Sequence, residues 1–306
     1  MSDTNRFAIA RRSLSRDDEM ADLEPWLEAL GATALCLCAG ALGWGCSKLP
    51  GKWWIAGYAI PMALIILLGL GRNILSLEFV PPFSWLLAGR GEFLWGGICV
   101  AWVLATPCSR LRTARERKTL MAFVAFSTAV LCVWPFLAPA FNRKFWRAYV
   151  TQMDANGICI QGTDYSCGPA AAVTALRRLG VSAQEGELAI LAHTSNSIGT
   201  PSDLLADAIK ERYGVDGIQA RHRPYAGVAE LGGRPGVFTL AVIKYGFLVD
   251  HYVTVLRVTP SSVLVGDPSR GLHEYATSAF REIWRGTGIE LERVGPSTAP
   301  RAPGIH

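Results

Sequence analysis

The chain has 306 residues, 50% of them hydrophobic and 18% charged, with 30 Lys/Arg against 25 Asp/Glu. Its mean hydropathy of +0.25 is high for a water-soluble protein and excludes a disordered chain. The modest positive charge excludes a basic-stripe nucleic-acid binder, and eight cysteines in this length do not make a disulfide scaffold.

The two halves differ. Residues 1–148 hold 16 Lys/Arg against 10 Asp/Glu, whereas residues 149–306 hold 14 against 15. Eight of the ten tryptophans precede residue 135. This reads as an α-helical membrane region over 26–139 followed by a soluble domain. Residues 1–25 form a polar N-terminal tail. They carry four Arg and six acids, among them Asp17, Asp18, Glu19, Asp22 and Glu24. They lack the short apolar core and small-residue cleavage site of a signal peptide.

A bilayer core takes about 20 apolar residues in a helix. Four spans are expected, at about 27–46, 53–71, 93–107 and 119–138. The third is short, so three spans are the alternative. Arg90 and Glu92 lie at its end, where they can reach water. Trp26, Trp53, Trp54, Trp85 and Trp134 fall near span ends, where amphipathic rings favour the headgroup layer. Gly40, Gly43 and Gly45 would allow close helix packing. Arg110, Arg112, Arg115, Arg117 and Lys118 precede the last span, and Arg143, Lys144 and Arg147 follow it. Five basic residues against three place the second half outside the cytoplasm.

From 149 to 293 helical patterns precede strand patterns, an α+β order with an antiparallel sheet. Cys167 opens a helix that stops at Gly180. A second helix is expected from Ser182, with Glu185 completing a capping box. A third is expected near Thr200, with Pro201 in the first helical position. Strands are expected over 236–245, 249–258 and 262–266, with a turn at 259–261, then a short strand and helix through Trp284. The Pro- and Ala-rich tail, 294–306, is expected to be disordered.

Three features of this half converge. In Gln161-Gly162-Thr163-Asp164-Tyr165-Ser166-Cys167-Gly168-Pro169-Ala170 a cysteine stands at a helix start. There the helix dipole favours a thiolate nucleophile. Gln161, six residues earlier, could donate to an oxyanion beside the sulfur. His251 lies early in one strand and Asp267 at the end of the next. In a hairpin about 259–261, His251 falls opposite Asp267 or one diagonal step away on the same face. A carboxylate there orients the imidazole, the logic of a Cys–His–Asp nucleophile.

Gln161, Cys167-Gly168-Pro169-Ala170, His251-Tyr252-Val253-Thr254-Val255 and Asp267-Pro268 together resemble the bacterial C39 peptidase family. Its members are papain-like cysteine peptidases, best known for cutting leader peptides after a double glycine. The resemblance covers about residues 155–293. It implies Cys167 as nucleophile, His251 as general base and acid, Asp267 as the orienting carboxylate, and Gln161 in the oxyanion hole. The best-known members are ATP-driven exporters whose peptidase domain precedes the membrane helices. Here it follows them, and the chain contains no Gly-x4-Gly-Lys-Ser/Thr phosphate loop.

Other features carry less. Cys159 reads as a buried strand cysteine, with a redox partnership to Cys167 as the alternative. His193, His222 and His273 have no partners at ligand spacing, so no metal and no cofactor is expected. Glu230-Leu231-Gly232-Gly233 mimics a double-glycine cleavage sequence but reads as a turn. The expected function is a membrane-anchored cysteine peptidase in the bacterial inner membrane. Its partners would be a peptide or protein substrate such as a leader peptide, the lipid bilayer, and a separate exporter or secretion component, with no nucleic acid. The alternatives are a non-catalytic peptide-docking module and acyl transfer by the same triad.

Overall fold

The computed structural model describes residues 3–73, 75–142, 149–232, 234–246 and 249–294. The basic cluster Arg143, Lys144 and Arg147, Gly233 and the tail from Gly295 lie outside the described residues, as do the side chains of the N-terminal acidic cluster. The chain divides into two compact units, 1–69 with 90–141 and 70–89 with 142–306.

The N-terminal helices are α1 (Asp3–Ser47), α2 (Ala59–Asn73), the short α3 (Phe83–Leu86), α4 (Gly91–Ala105), α5 (Ala114–Thr128) and α6 (Trp134–Asn142). Four helical stretches are long and apolar enough to cross a membrane: Pro25–Ser47, Trp53–Gly71, Gly91–Arg110 and Ala114–Phe141. The third runs to 20 residues, longer than expected, because a 3-10 turn over Cys108–Arg110 extends α4. The fourth joins α5 to α6 through a π turn over Ala129–Val133.

Small residues set the packing of the first unit. Ala29, Ala32, Cys36, Ala39, Ala101 and Cys132 are buried together. A Cβ on Gly43 would stand 2.3 Å from the Trp102 carbonyl oxygen, so only glycine lets α1 approach α4 there. Gly40 and Gly45 face open space and do not serve this contact.

The expectation that Arg90 reaches water is wrong. Arg90 is 5% exposed and pairs with Glu28. Its Nη1 donates to the carbonyls of Phe136 (3.2 Å) and Pro135 (3.4 Å). Pro139 lies inside α6 and has no N–H, so the Pro135 carbonyl loses its helical donor. The guanidinium fills that vacancy, which a sequence window over one span does not reveal.

The second unit holds a two-stranded ribbon of β1 (Gln152–Met153) and β2 (Cys159–Ile160) and a six-stranded sheet. The sheet strands are β3 (Ile218–Pro224), β4 (Val237–Gly246), β5 (Val249–Val258), β6 (Ser262–Asp267), β7 (Gly271–Ala276) and β8 (Trp284–Arg293), in the order β3-β8-β4-β5-β6-β7. Every pairing in the sheet is antiparallel. Helices α7 (Cys167–Arg178), α8 (Glu185–Leu191), α9 (Ser202–Tyr213) and α10 (Thr277–Ile283) complete the unit. This is the expected α+β fold with an antiparallel sheet.

The fold departs from the sequence reading at four points. The expected short strand and helix through Trp284 form as β7 and α10, but β3 and the ten-residue β8, which lies between β3 and β4, were not expected. The capping box from Ser182 does not form. α8 starts at Glu185, its N-cap is Gln184, and the Glu185 carboxylate instead accepts from the Gly162 N–H at 2.9 Å. Pro201 is the N-cap of α9 rather than its first helical residue. Gly180 ends the α7 region as expected, at φ +79°.

Candidate active site

Helix α7 is buried from Cys167 to Leu176. Its first turn has to be small. A Cβ on Gly168 would come within 3.1 Å of Leu205 and Thr200 side-chain atoms. Pro169 is tolerated because first-turn N–H groups have no helical acceptor. Ala170, Ala171 and Ala172 then let the helix lie flat on the sheet, and all three are fully buried. Thr254 Oγ1 of β5 donates to the Ala171 carbonyl at 2.8 Å. That bond ties the strand carrying His251 to the helix carrying Cys167. Tyr252, next to His251, donates its hydroxyl to the Thr200 carbonyl at 3.2 Å and shares a hydrogen bond with Ser202.

The β5–β6 hairpin sets the remaining geometry. Its register pairs Val258 with Val263 and Thr254 with Gly266, with a bulge between Val255 and Arg257. Continuing that register sets Asp267 across from Val253, two residues from His251 on the same face. This is the diagonal arrangement. His251 Nε2 lies 2.8 Å from Asp267 Oδ1, and the two residues are 4% and 1% exposed. The Cys167 side chain, 9% exposed, lies close enough to act electrostatically on the same imidazole. With Nε2 on Asp267, Nδ1 is the nitrogen left for proton transfer.

Electrostatics follow from this packing. Burial pushes the His251 pKa down, but hydrogen bonds to Asp267 and Cys167 outweigh it and lift the value to about 9. Burial pushes the Asp267 carboxyl up, while the His251 hydrogen bond and the Ser269 N–H (2.8 Å) hold it below the ordinary carboxylate value. The pair is therefore a charged imidazolium held by a carboxylate at neutral pH.

Gln161 stands in the loop that feeds α7. Its backbone N–H donates to the Pro268 carbonyl (3.0 Å), its Nε2 donates to the Thr163 carbonyl (2.8 Å), and its Oε1 accepts from Ser269 Oγ (3.2 Å). The segment Asp267–Ser269 thus holds both the histidine and the glutamine. An amide nitrogen carries two hydrogens, so the Thr163 contact leaves a second donor on Nε2.

Two residues outside the sequence reading border this constellation. Ser269 was not singled out, since a lone serine after Asp-Pro carries no signal by itself. The Tyr245 ring lies 4.8 Å from the His251 ring and is 52% exposed. Cys159 is fully buried in β2, and burial pushes its thiol up to about 12, which makes it inert as a nucleophile. Among the described residues no group of three or more His, Cys, Asp or Glu could hold a metal ion.

Comparison with known proteins bears on the same segment. A model of the Peptidase C39 family matches residues 156–294. An uncharacterized protein of Methanothermobacter marburgensis is 32% identical over 133 residues, covering 44% of this chain and 86% of the relative. The probable functional amyloid protease FapD of Pseudomonas aeruginosa is 28% identical over 152 residues, covering 47% of this chain and 66% of the relative. The crystal structure of the peptidase domain of Streptococcus ComA, a bifunctional ABC transporter involved in quorum sensing, aligns at 23% identity and a TM-score of 0.36. That alignment covers 47% of this chain and 97% of the domain.

Proposed function

The chain belongs to the Peptidase C39 family, and from that premise we propose that it is a membrane-anchored cysteine peptidase acting on peptide or protein substrates. The observation that carries the reading is one buried imidazole held by Asp267 at 2.8 Å, with the Cys167 thiol beside it at the start of α7.

In the proposed mechanism Cys167 Sγ, as thiolate beside the His251 imidazolium, attacks the scissile carbonyl carbon. The carbonyl π pair moves to oxygen, and that oxyanion takes hydrogen bonds from the Cys167 backbone N–H and the second N–H of Gln161 Nε2. His251 Nδ1–H protonates the leaving amine as the C–N bond breaks, leaving a thioester and neutral imidazole. The imidazole then takes a proton from water, whose oxygen attacks the thioester. Collapse releases the acid and restores the thiolate–imidazolium pair. Asp267 keeps the ring oriented in both half-reactions and stays ionised. Every group of the cycle comes from the second unit.

The four apolar helices are proposed to anchor this domain in a bacterial inner membrane, with lipid as their solvent. A location of the domain outside the cytoplasm is supported by the five basic residues from Arg110 to Lys118, against three just past the last span. With four spans the four N-terminal arginines fall on the domain's side, followed by five of that segment's six acids. Outside the cytoplasm the substrate would be met after export, which calls for a separate exporter or secretion component. The domain boundaries proposed are 26–139 for the membrane region and 149–293 for the peptidase.

Orientation is testable by fusing a reporter to the C-terminus of the full chain. Alkaline phosphatase, active only outside the cytoplasm, is expected to be active, and a cytoplasm-only fluorescent reporter dark. The reverse pattern would overturn the orientation and point to leader processing before export.

A further inference from the structure

Glu185 is a fully buried carboxyl that the mechanism above does not use. Its Oε1 accepts the Gly162 N–H at 2.9 Å. The Ser166 hydroxyl also lies against the carboxylate. Gly162 follows Gln161 and Ser166 precedes Cys167, so the carboxyl is hydrogen-bonded to the start of the loop joining the two and lies beside its end. The Ser166 hydroxyl in turn accepts from the Thr163 N–H (3.1 Å) and donates to the Thr163 carbonyl (3.1 Å), the same carbonyl that takes the Gln161 amide. The backbone that carries the carboxyl is itself fixed, since the Glu185 N–H donates to Thr151 Oγ1 at 2.8 Å.

An acid in this place is costly. Burial raises the Glu185 pKa, only partly offset by the Ser166 and Gly162 bonds. The other titratable groups acting on this pocket are Tyr149, from the segment before β1, and Cys159 of β2. Neither is a cation, and Arg177 of α7 acts on Cys159. Packing alone would be served at lower cost by a methionine or leucine. The carboxyl does something an apolar side chain cannot, namely accept hydrogen bonds from the loop that presents the oxyanion donors.

We propose that Glu185 is a positioning residue for acyl transfer, holding the Gly162–Ser166 loop so that the Gln161 amide and the Cys167 N–H converge on the developing oxyanion. The inference rests on the peptidase reading and adds a residue to it. It acts on the step in which a carbonyl oxygen gains charge. It does not act on the thiol's ability to displace a halide, which develops no oxyanion.

That difference supplies the test. In the full chain in detergent, acylation of Cys167 by p-nitrophenyl acetate and its alkylation by iodoacetamide are timed side by side. Glu185→Met fills the pocket without an acceptor. It is expected to slow acylation by about 10- to 100-fold, less than outright loss of an oxyanion donor costs, and to leave alkylation nearly unchanged. Glu185→Gln keeps an acceptor for Gly162 and is expected to restore most of the acylation rate. Thr151→Val leaves the core intact and loosens the backbone that carries the same carboxyl, so it is expected to slow acylation alone by a smaller factor. It decides the matter if Glu185→Met does not fold. Equal acylation rates in folded variants and in the unaltered protein overturn the inference. So does a parallel loss of both reactions. Failure of the unaltered protein to react at Cys167 overturns the peptidase reading itself.

Discussion

Cys167→Ala is expected to reduce turnover by about 10⁴-fold or more, to the level set by binding and the oxyanion donors alone. The size of the effect follows from covalent catalysis. Without sulfur no thioester forms, and no side chain nearby offers a second nucleophile of comparable reactivity. Cys159 is buried in β2 with its thiol held protonated. The replacement is also mild for the fold. Position 167 is the first residue of α7 and is 9% exposed, and alanine favours helix. Loss of one buried sulfur costs about 1 kcal/mol. Melting curves should therefore nearly superpose while hydrolysis of a thiol-reactive ester or a cleaved peptide disappears. Undiminished turnover in the alanine variant would remove Cys167 from the chemistry.

Asp267→Asn is expected to lower turnover by about 10²-fold or more and to move the alkaline limb of the pH profile to lower pH. The carboxylate contributes to the lift of His251 from 6.5 to about 9, and the amide removes that contribution. The imidazolium that donates to the leaving amine is then lost at a lower pH. Stability follows the same sign. A histidine whose folded pKa exceeds its unfolded value stabilises fully below the unfolded value of about 6.5. That contribution is lost as pH rises through about 9. Asp267→Asn should thus lower Tm more at pH 6 than at pH 10. An unmoved alkaline limb would mean that the hydrogen bond seen at 2.8 Å does not set the histidine's charge.

Much of this site is legible in the chain because it is local. The Gln161–Cys167 spacing lies within one loop and helix start. The His251–Asp267 diagonal follows from a hairpin whose turn, Thr259 to Ser262, is marked by its residues and closed by a 2.8 Å backbone bond. The parts that escaped are those set by distant chain. β8 carries Gly286 and Gly288 and alternates cleanly only through Ile289 and Leu291, so its ten-residue extent is a product of its two neighbours. β3 carries Gln219, Arg221, His222 and Arg223 and pairs with β8 throughout, which propensity does not anticipate. Glu185 has the spacing of a capping residue, and only the fold shows Gly162 in its reach. Arg90 reads as a span-end charge until Pro139 leaves a carbonyl for it.

The central claim is that Cys167 is made nucleophilic by His251. Its most direct test is residue-resolved labelling of the full chain in detergent near pH 6, where an ordinary thiol reacts slowly. Iodoacetamide adducts are then mapped by mass spectrometry across all eight cysteines. The account expects Cys167 to label first and fastest, and that advantage to vanish in His251→Ala. Labelling of Cys167 no faster than free cysteine added to the same sample, or equally fast without His251, would contradict it.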